Sequence, residues 1–181
     1  MIHPWHGLPP GSHPPAKVTA VTEIPRGRRN KYELDTASGL FRLARGLSSA
    51  VPYPASYGFI PPPLAEANAP AAPLLPPHHP PAPRPQLTSR PIGVLRMTDR
   101  GEPDDKILAV PSNDPFYEEY FDIADIPQHY LREVEHFFHI YKDLEGKRVQ
   151  TIGWEQAPYA MQVIREAMER YDEKFVVRSG P

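Results

Sequence analysis

Twelve of the 26 prolines in this 181-residue chain fall between Pro61 and Pro91. Proline has no amide hydrogen to give a sheet ladder, so this stretch cannot supply ordinary central strands, and the fold must be built from what lies on either side. From Ala67 to Ser89 there is one charge, Arg84, and no usable periodicity among the Pro, Ala, Leu and His residues. Low order is expected from about Ala67 to Ser89. Pro77-His78-His79-Pro80 and Pro80-Pro81-Ala82-Pro83 fit a Pro-x-x-Pro spacing suited to polyproline II recognition, and a passive extended loop fits equally well. His78 and His79 are poor partners for one metal ion, because adjacent side chains on extended backbone point apart.

The flanks read differently. Val18 to Ile24, Asn30 to Asp35 and Leu40 to Arg45 read as strands, the last two separated by the Ser38-Gly39 turn signal. Tyr53 to Ile60 alternates Tyr53, Tyr57 and Phe59 on one face, and Pro91 to Thr98 and Lys106 to Pro111 form a further pair around a Gly101-Pro103 loop. Asp125 then reads as a helix cap, with Pro127 in the first turn and Leu131, Val134, Phe138 and Tyr141 lining one face. Lys147 to Ile152 is a short strand, and Ala160, Val163, Ile164, Ala167, Met168 and Tyr171 define a second helix. The class is α+β, mainly β, in a single domain over 1–181 with a divergent Pro/Ala-rich segment at about 67–89.

A formal net charge of −2 makes no case for nucleic acid. No apolar run approaches a membrane-spanning length, and Met1 to Pro15 lacks the pattern of a signal peptide, so a cytoplasmic protein of bacterial type is expected. With no cysteine, any metal must be held by carboxylates, histidines or carbonyls, which favours hard cations.

Several residues could carry chemistry with such a cation. Lys31 and Glu33 share a strand face and set a cation beside a carboxylate, although a surface ion pair has the same pattern. Arg45, Tyr53 and Tyr57 could meet phosphoryl oxygens, and tyrosines on strands also serve as packing. The acidic run Thr98 to Lys106 could supply oxygen ligands to Mg²⁺, or form a solvated turn.

Taken in order, Glu23-Ile24-Pro25, Arg29-Asn30-Lys31-Tyr32-Glu33, Tyr53-Pro54-Ala55-Ser56-Tyr57-Gly58-Phe59-Ile60-Pro61, Arg90-Pro91-Ile92-Gly93-Val94-Leu95-Arg96-Met97-Thr98-Asp99, His136-Phe137-Phe138 and Tyr141-Lys142-Asp143-Leu144-Glu145 resemble the family I inorganic pyrophosphatases. The resemblance implies a small five-stranded OB-like barrel with two flanking C-terminal helices, often a hexamer, that uses Mg²⁺ to hydrolyse pyrophosphate to two phosphates. It further implies that Lys31, Arg45, Tyr57, Lys106, Tyr141 and Lys142 bind phosphate. Glu23, Glu33 and Tyr53 would support catalysis, and Asp99 and Asp104 would be metal ligands.

One departure is sharp. Where the family carries Asp-Gly-Asp-Pro-x-Asp, this chain has Ala67-Asn68-Ala69-Pro70-Ala71-Ala72. The expected base is replaced by Ala69 and two expected ligands by Ala67 and Ala72, so turnover is expected to be impaired. The alternative is a catalytically inactive phosphate-binding or assembly subunit.

Overall fold

The computed structural model describes residues 7–35, 38–46, 49–61 and 86–173. Ala67, Ala69, Ala72 and the two Pro-x-x-Pro sequences lie outside that set, as does most of the stretch expected to have low order. Its C-terminal limit is corrected: strand order begins at Gln86, not after Ser89. After Pro85 five consecutive residues carry amide hydrogens, and they are used at once.

The organising element is β5 (Gln86–Asp99), whose partners change along its length. Its first residues pair with β1 (Val18–Ile24), its middle with β7 (Lys106–Pro111), and its end with β6 (Glu102–Pro103) and β8 (Val149–Gln156). Leu95 faces Lys106 on one edge and Trp154 on the other, so β5 is fully paired there. Pro91 is tolerated because the β5–β7 register breaks between Pro91 and Gly93.

β4 (Tyr57–Phe59) pairs with β1 and, among the described residues, closes one end of the strand order. β2 (Asn30–Leu34) and β3 (Phe41–Gly46) form a separate hairpin. The result is mainly β with two C-terminal helices, as the family resemblance implies. The main sheet comprises β1, β4, β5, β7 and β8, with the two-residue β6 added.

Helix α1 (Gln128–Ile140) buries Leu131, Val134, Phe137 and Phe138. Phe137 and Phe138 pack with Tyr53, Leu95, Met97, Tyr141 and Val149, which fastens the helix over the end of β5. Helix α2 (Ala157–Tyr171) buries Ala160 and Ile164 against Val18, Ile60, Val94 and Ile107. These are largely the apolar stripes that the 3.6-residue period predicts.

Asp125 does not cap α1. Its carboxylate accepts from the backbone N–H groups of Phe121 and Asp122 in a preceding short turn, and Pro127 precedes α1 without a side-chain cap. The cap that matters joins distant segments: Asp122 Oδ2 accepts from Ala157 N at 2.9 Å, satisfying the start of α2 from 35 residues away. Gln156, the local residue, makes no such bond.

Candidate active site

The site is assembled from strand ends and one helix end. On β2, Lys31 and Glu33 point the same way, as period-two alternation requires, and Lys31 Nζ lies 2.5 Å from Glu33 Oε1. Across the hairpin, the backbone of Arg45 pairs with Lys31. Glu23, near the end of β1, reaches β2 by accepting from Leu34 N at 3.0 Å.

Glu23, Lys31, Glu33, Leu34, Tyr57, Gly58 and Phe59 line one cleft of about 270 Å³. Gly58 is there for closeness: a Cβ would sit 1.9 Å from the Val21 carbonyl oxygen, so no side chain fits between β4 and β1.

Tyr53 lies before β4 rather than within it, yet its ring is 5.5 Å from Tyr57 and 4.6 Å from Phe137. Reciprocal backbone bonds, Gly27 N to Tyr53 O and Tyr53 N to Arg28 O, hold this segment against the β1–β2 loop. Lys106 opens β7 and is only 3% exposed. Its ammonium stands 6.0 Å from the Tyr57 ring and 5.9 Å from the Phe138 ring, and donates to Asp104 Oδ1. Just after α1, Lys142 donates to Asp99 Oδ2 and sits 5.0 Å from the Tyr141 ring.

The electrostatics show how closely these groups gather. Burial, then the negative charges of Asp104, Glu23 and Glu33 and the neighbouring Tyr141 phenol, push the Tyr57 phenol well above its ordinary range. Burial tends to lift Asp99, but the Lys142 hydrogen bond and the charges of Lys142, Arg100 and Lys106 outweigh it and hold the carboxyl below its ordinary range. Burial raises Glu23 to about 7, against the Leu34 bond and the Lys31 charge.

The Glu23 shift has a measurable consequence. The folded chain binds this proton more tightly than the unfolded chain, so the associated stability is fully present below about pH 4.5 and is lost as pH rises through about 7. Glu23→Gln keeps an oxygen acceptor for Leu34 and cannot ionise. It is expected to be about 2–3 kcal/mol more stable than the native chain at pH 8, with that gain absent at pH 4. Urea unfolding at both pH values checks this, and an equal difference at the two would contradict it.

Asp99 and Asp104, the expected metal ligands, are each engaged by a lysine. No group of three or more His, Asp or Glu suited to a metal ion occurs among the described residues. Asp99 Oδ1 is nevertheless buried and accepts no hydrogen bond. A hard cation that keeps waters and takes one or two carboxylates together with phosphate oxygens fits such a donor set.

Two members of the acidic run had no individual role assigned from the sequence. Asp105 is half-buried, accepts from Met97 N at 3.2 Å and is raised by burial. Arg100 lies 3.8 Å from Asp99 Oδ1. Strand alternation after Asp104 could have indicated that Asp105 turns to the other side; nothing in the sequence brings Arg100 back onto Asp99.

A family description, inorganic pyrophosphatase, matches residues 20–172. The chain is 43% identical over 176 residues to soluble inorganic pyrophosphatase 2 of Chlamydomonas reinhardtii, covering 97% of this chain and 92% of that protein. It is 44% identical over 169 residues to a soluble inorganic pyrophosphatase of Oryza sativa subsp. indica, covering 93% and 79%. The crystal structure of inorganic pyrophosphatase from Thermus thermophilus superposes with a TM-score of 0.85 at 37% identity, over 91% of this chain and 97% of that one.

Proposed function

The chain belongs to the inorganic pyrophosphatase family, and from that premise we propose that it hydrolyses pyrophosphate to two phosphates with Mg²⁺, at a rate lowered by Ala67, Ala69 and Ala72. The observation that carries this reading is that Lys31 with Glu33, and Lys106 with Asp104, meet at Tyr57, while Lys142 pairs with Asp99, a carboxylate that also feels the charge of Lys106. Such a set can exchange its carboxylate partners for phosphate oxygens.

In this reading Lys31, Arg45, Lys106 and Lys142 bind the dianionic ends of pyrophosphate, with the Tyr57 and Tyr141 hydroxyls donating hydrogen bonds. The raised affinity of Tyr57 for its proton keeps that phenol a donor. Tyr53 holds Tyr57 in place, while Glu33 keeps the Lys31 ammonium on the cleft. Glu23 lines the same cleft and exchanges a proton near neutral pH. Water adds to one phosphorus and gives a proton to bulk solvent, the bridging P–O bond breaks, and the displaced phosphate leaves with the bridging oxygen.

Mg²⁺, when bound, would neutralise charge developing on the phosphoryl oxygens and lower the pKa of the attacking water. Asp99 and Asp104 would be its ligands. We also read 1–181 as one pyrophosphatase-like domain working as a cytoplasmic homohexamer. No helix among the described residues is long and apolar enough to cross a membrane.

The replacements at 67, 69 and 72 also favour a second reading, an inactive phosphate-binding or assembly subunit. Phosphate release from pyrophosphate with and without Mg²⁺, alongside calorimetric binding of pyrophosphate, separates the two. Slow Mg²⁺-dependent release with binding that persists in EDTA is the expected result. Binding without release would favour the second reading, and no heat at millimolar pyrophosphate would remove the enzyme and phosphate-binding readings and leave only the assembly subunit.

A further inference from the structure

Asp99 and Glu102 pair across a two-residue hairpin loop, Arg100-Gly101, whose residues have φ of 53° and 85°. Loops of this kind take Asn-Gly or Gly-Gly, since positive φ disfavours most side chains. Arg100 is the only non-glycine with positive φ among the described residues. Its amide donates to Arg148 O at 3.3 Å, which ties the turn to the segment entering β8. A long cationic side chain in so unfavourable a position asks for a compensating role.

Arg100 Nε stands 3.8 Å from Asp99 Oδ1, the buried oxygen that accepts no hydrogen bond, while Oδ2 is taken by Lys142. Oδ1 is the atom through which Asp99 would meet a cation, and a guanidinium already faces it. The Arg100 side chain is 73% exposed, so its remaining donors are open to an oxyanion, for which the planar fork is well shaped.

We propose that Arg100 is a cationic counterpart built in at Asp99 Oδ1: it competes there with a divalent cation and offers its fork to a phosphate oxygen, thereby setting how far anion binding depends on metal. The proposal rests on the reading of Asp99 as a metal ligand. A unit charge about 4 Å from a ligand oxygen, in a setting close to water, changes cation affinity by roughly three- to tenfold.

The test uses the full chain and two titrations that need no turnover: Mn²⁺ binding without substrate, and pyrophosphate binding in EDTA. Arg100→Gln and Arg100→Asn are expected to tighten Mn²⁺ binding about three- to tenfold and to weaken metal-free pyrophosphate binding by a similar factor. Arg100→Lys, which keeps the charge, should stay near native in both. Mn²⁺ affinity within twofold of native in both neutral variants would overturn the proposal. So would tightening confined to Arg100→Asn, because asparagine suits positive φ and the effect would then belong to the turn. Asp99→Asn separates this from the underlying reading: if it leaves native Mn²⁺ binding intact, Asp99 is no ligand and both fall together.

Discussion

Lys106→Met is expected to reduce phosphate release by at least about 10²-fold and to destabilise the chain by about 3 kcal/mol. Lys106 is almost wholly buried, and its ammonium is shared between Asp104 and the faces of Tyr57 and Phe138. Methionine fills much the same space, so little packing is lost. What remains is the Asp104 carboxylate, largely shielded from water and without its counter-ion. Removing one member of such a pair costs far more than the pair contributes, because the survivor keeps its desolvation penalty.

The companion variant separates the two effects. Lys106→Met combined with Asp104→Asn removes both charges and should recover most of the lost stability, yet it also removes one of the proposed phosphate-binding cations and a proposed metal ligand. Activity should therefore stay at the level of the single variant or below it. Unfolding in urea and a phosphate-release assay on both proteins check this. A double variant as unstable as the single one would show that the pair is not what stabilises this corner.

The triple change Ala67→Asp, Ala69→Asp and Ala72→Asp is expected to raise Mg²⁺-dependent turnover by about 10²–10⁴-fold, the usual worth of a positioned base. The three groups act as one unit in the family's chemistry, so single restorations should each give far less than a third of the logarithmic gain. Three added negative charges should also make pyrophosphate binding more dependent on Mg²⁺, since they offset the positive charge of the proposed phosphate-binding cations. Initial rates against Mg²⁺ concentration for the native, single and triple variants provide the check. An unchanged rate in the triple variant would place the limit on turnover elsewhere in the chain.

Local pattern carried much of this protein. Val18–Ile24 and Lys106–Pro111 form strands at the bounds read from the sequence, because the first is closed by Pro25 and the second follows the Gly101-Pro103 loop. The stripes of α1 and α2 followed from helical spacing, and the ordered motifs from Glu23 to Lys142 carried the family. The expectations that failed were those where a second partner competes with the one the pattern suggests. Asp125 has the composition of a cap for α1, but its nearest free donors are Phe121 and Asp122, and the cap of α2 comes from Asp122 on another segment. Gln86–Ser89 look like the tail of the proline stretch, yet β1 and β7 offer them ladder partners and they become strand.

By itself the sequence determined the class, the family, the identity of the candidate phosphate-binding cations and the loss of three expected aspartates, since these depend on residue type and spacing. Only the tertiary structure decided which charges meet: Lys106 with Asp104, Lys142 with Asp99, and Arg100 over the remaining Asp99 oxygen. Distances between side chains on β5, β7 and the end of α1 are set by sheet pairing and by the packing of Phe137 and Phe138. No periodicity along the chain encodes that packing.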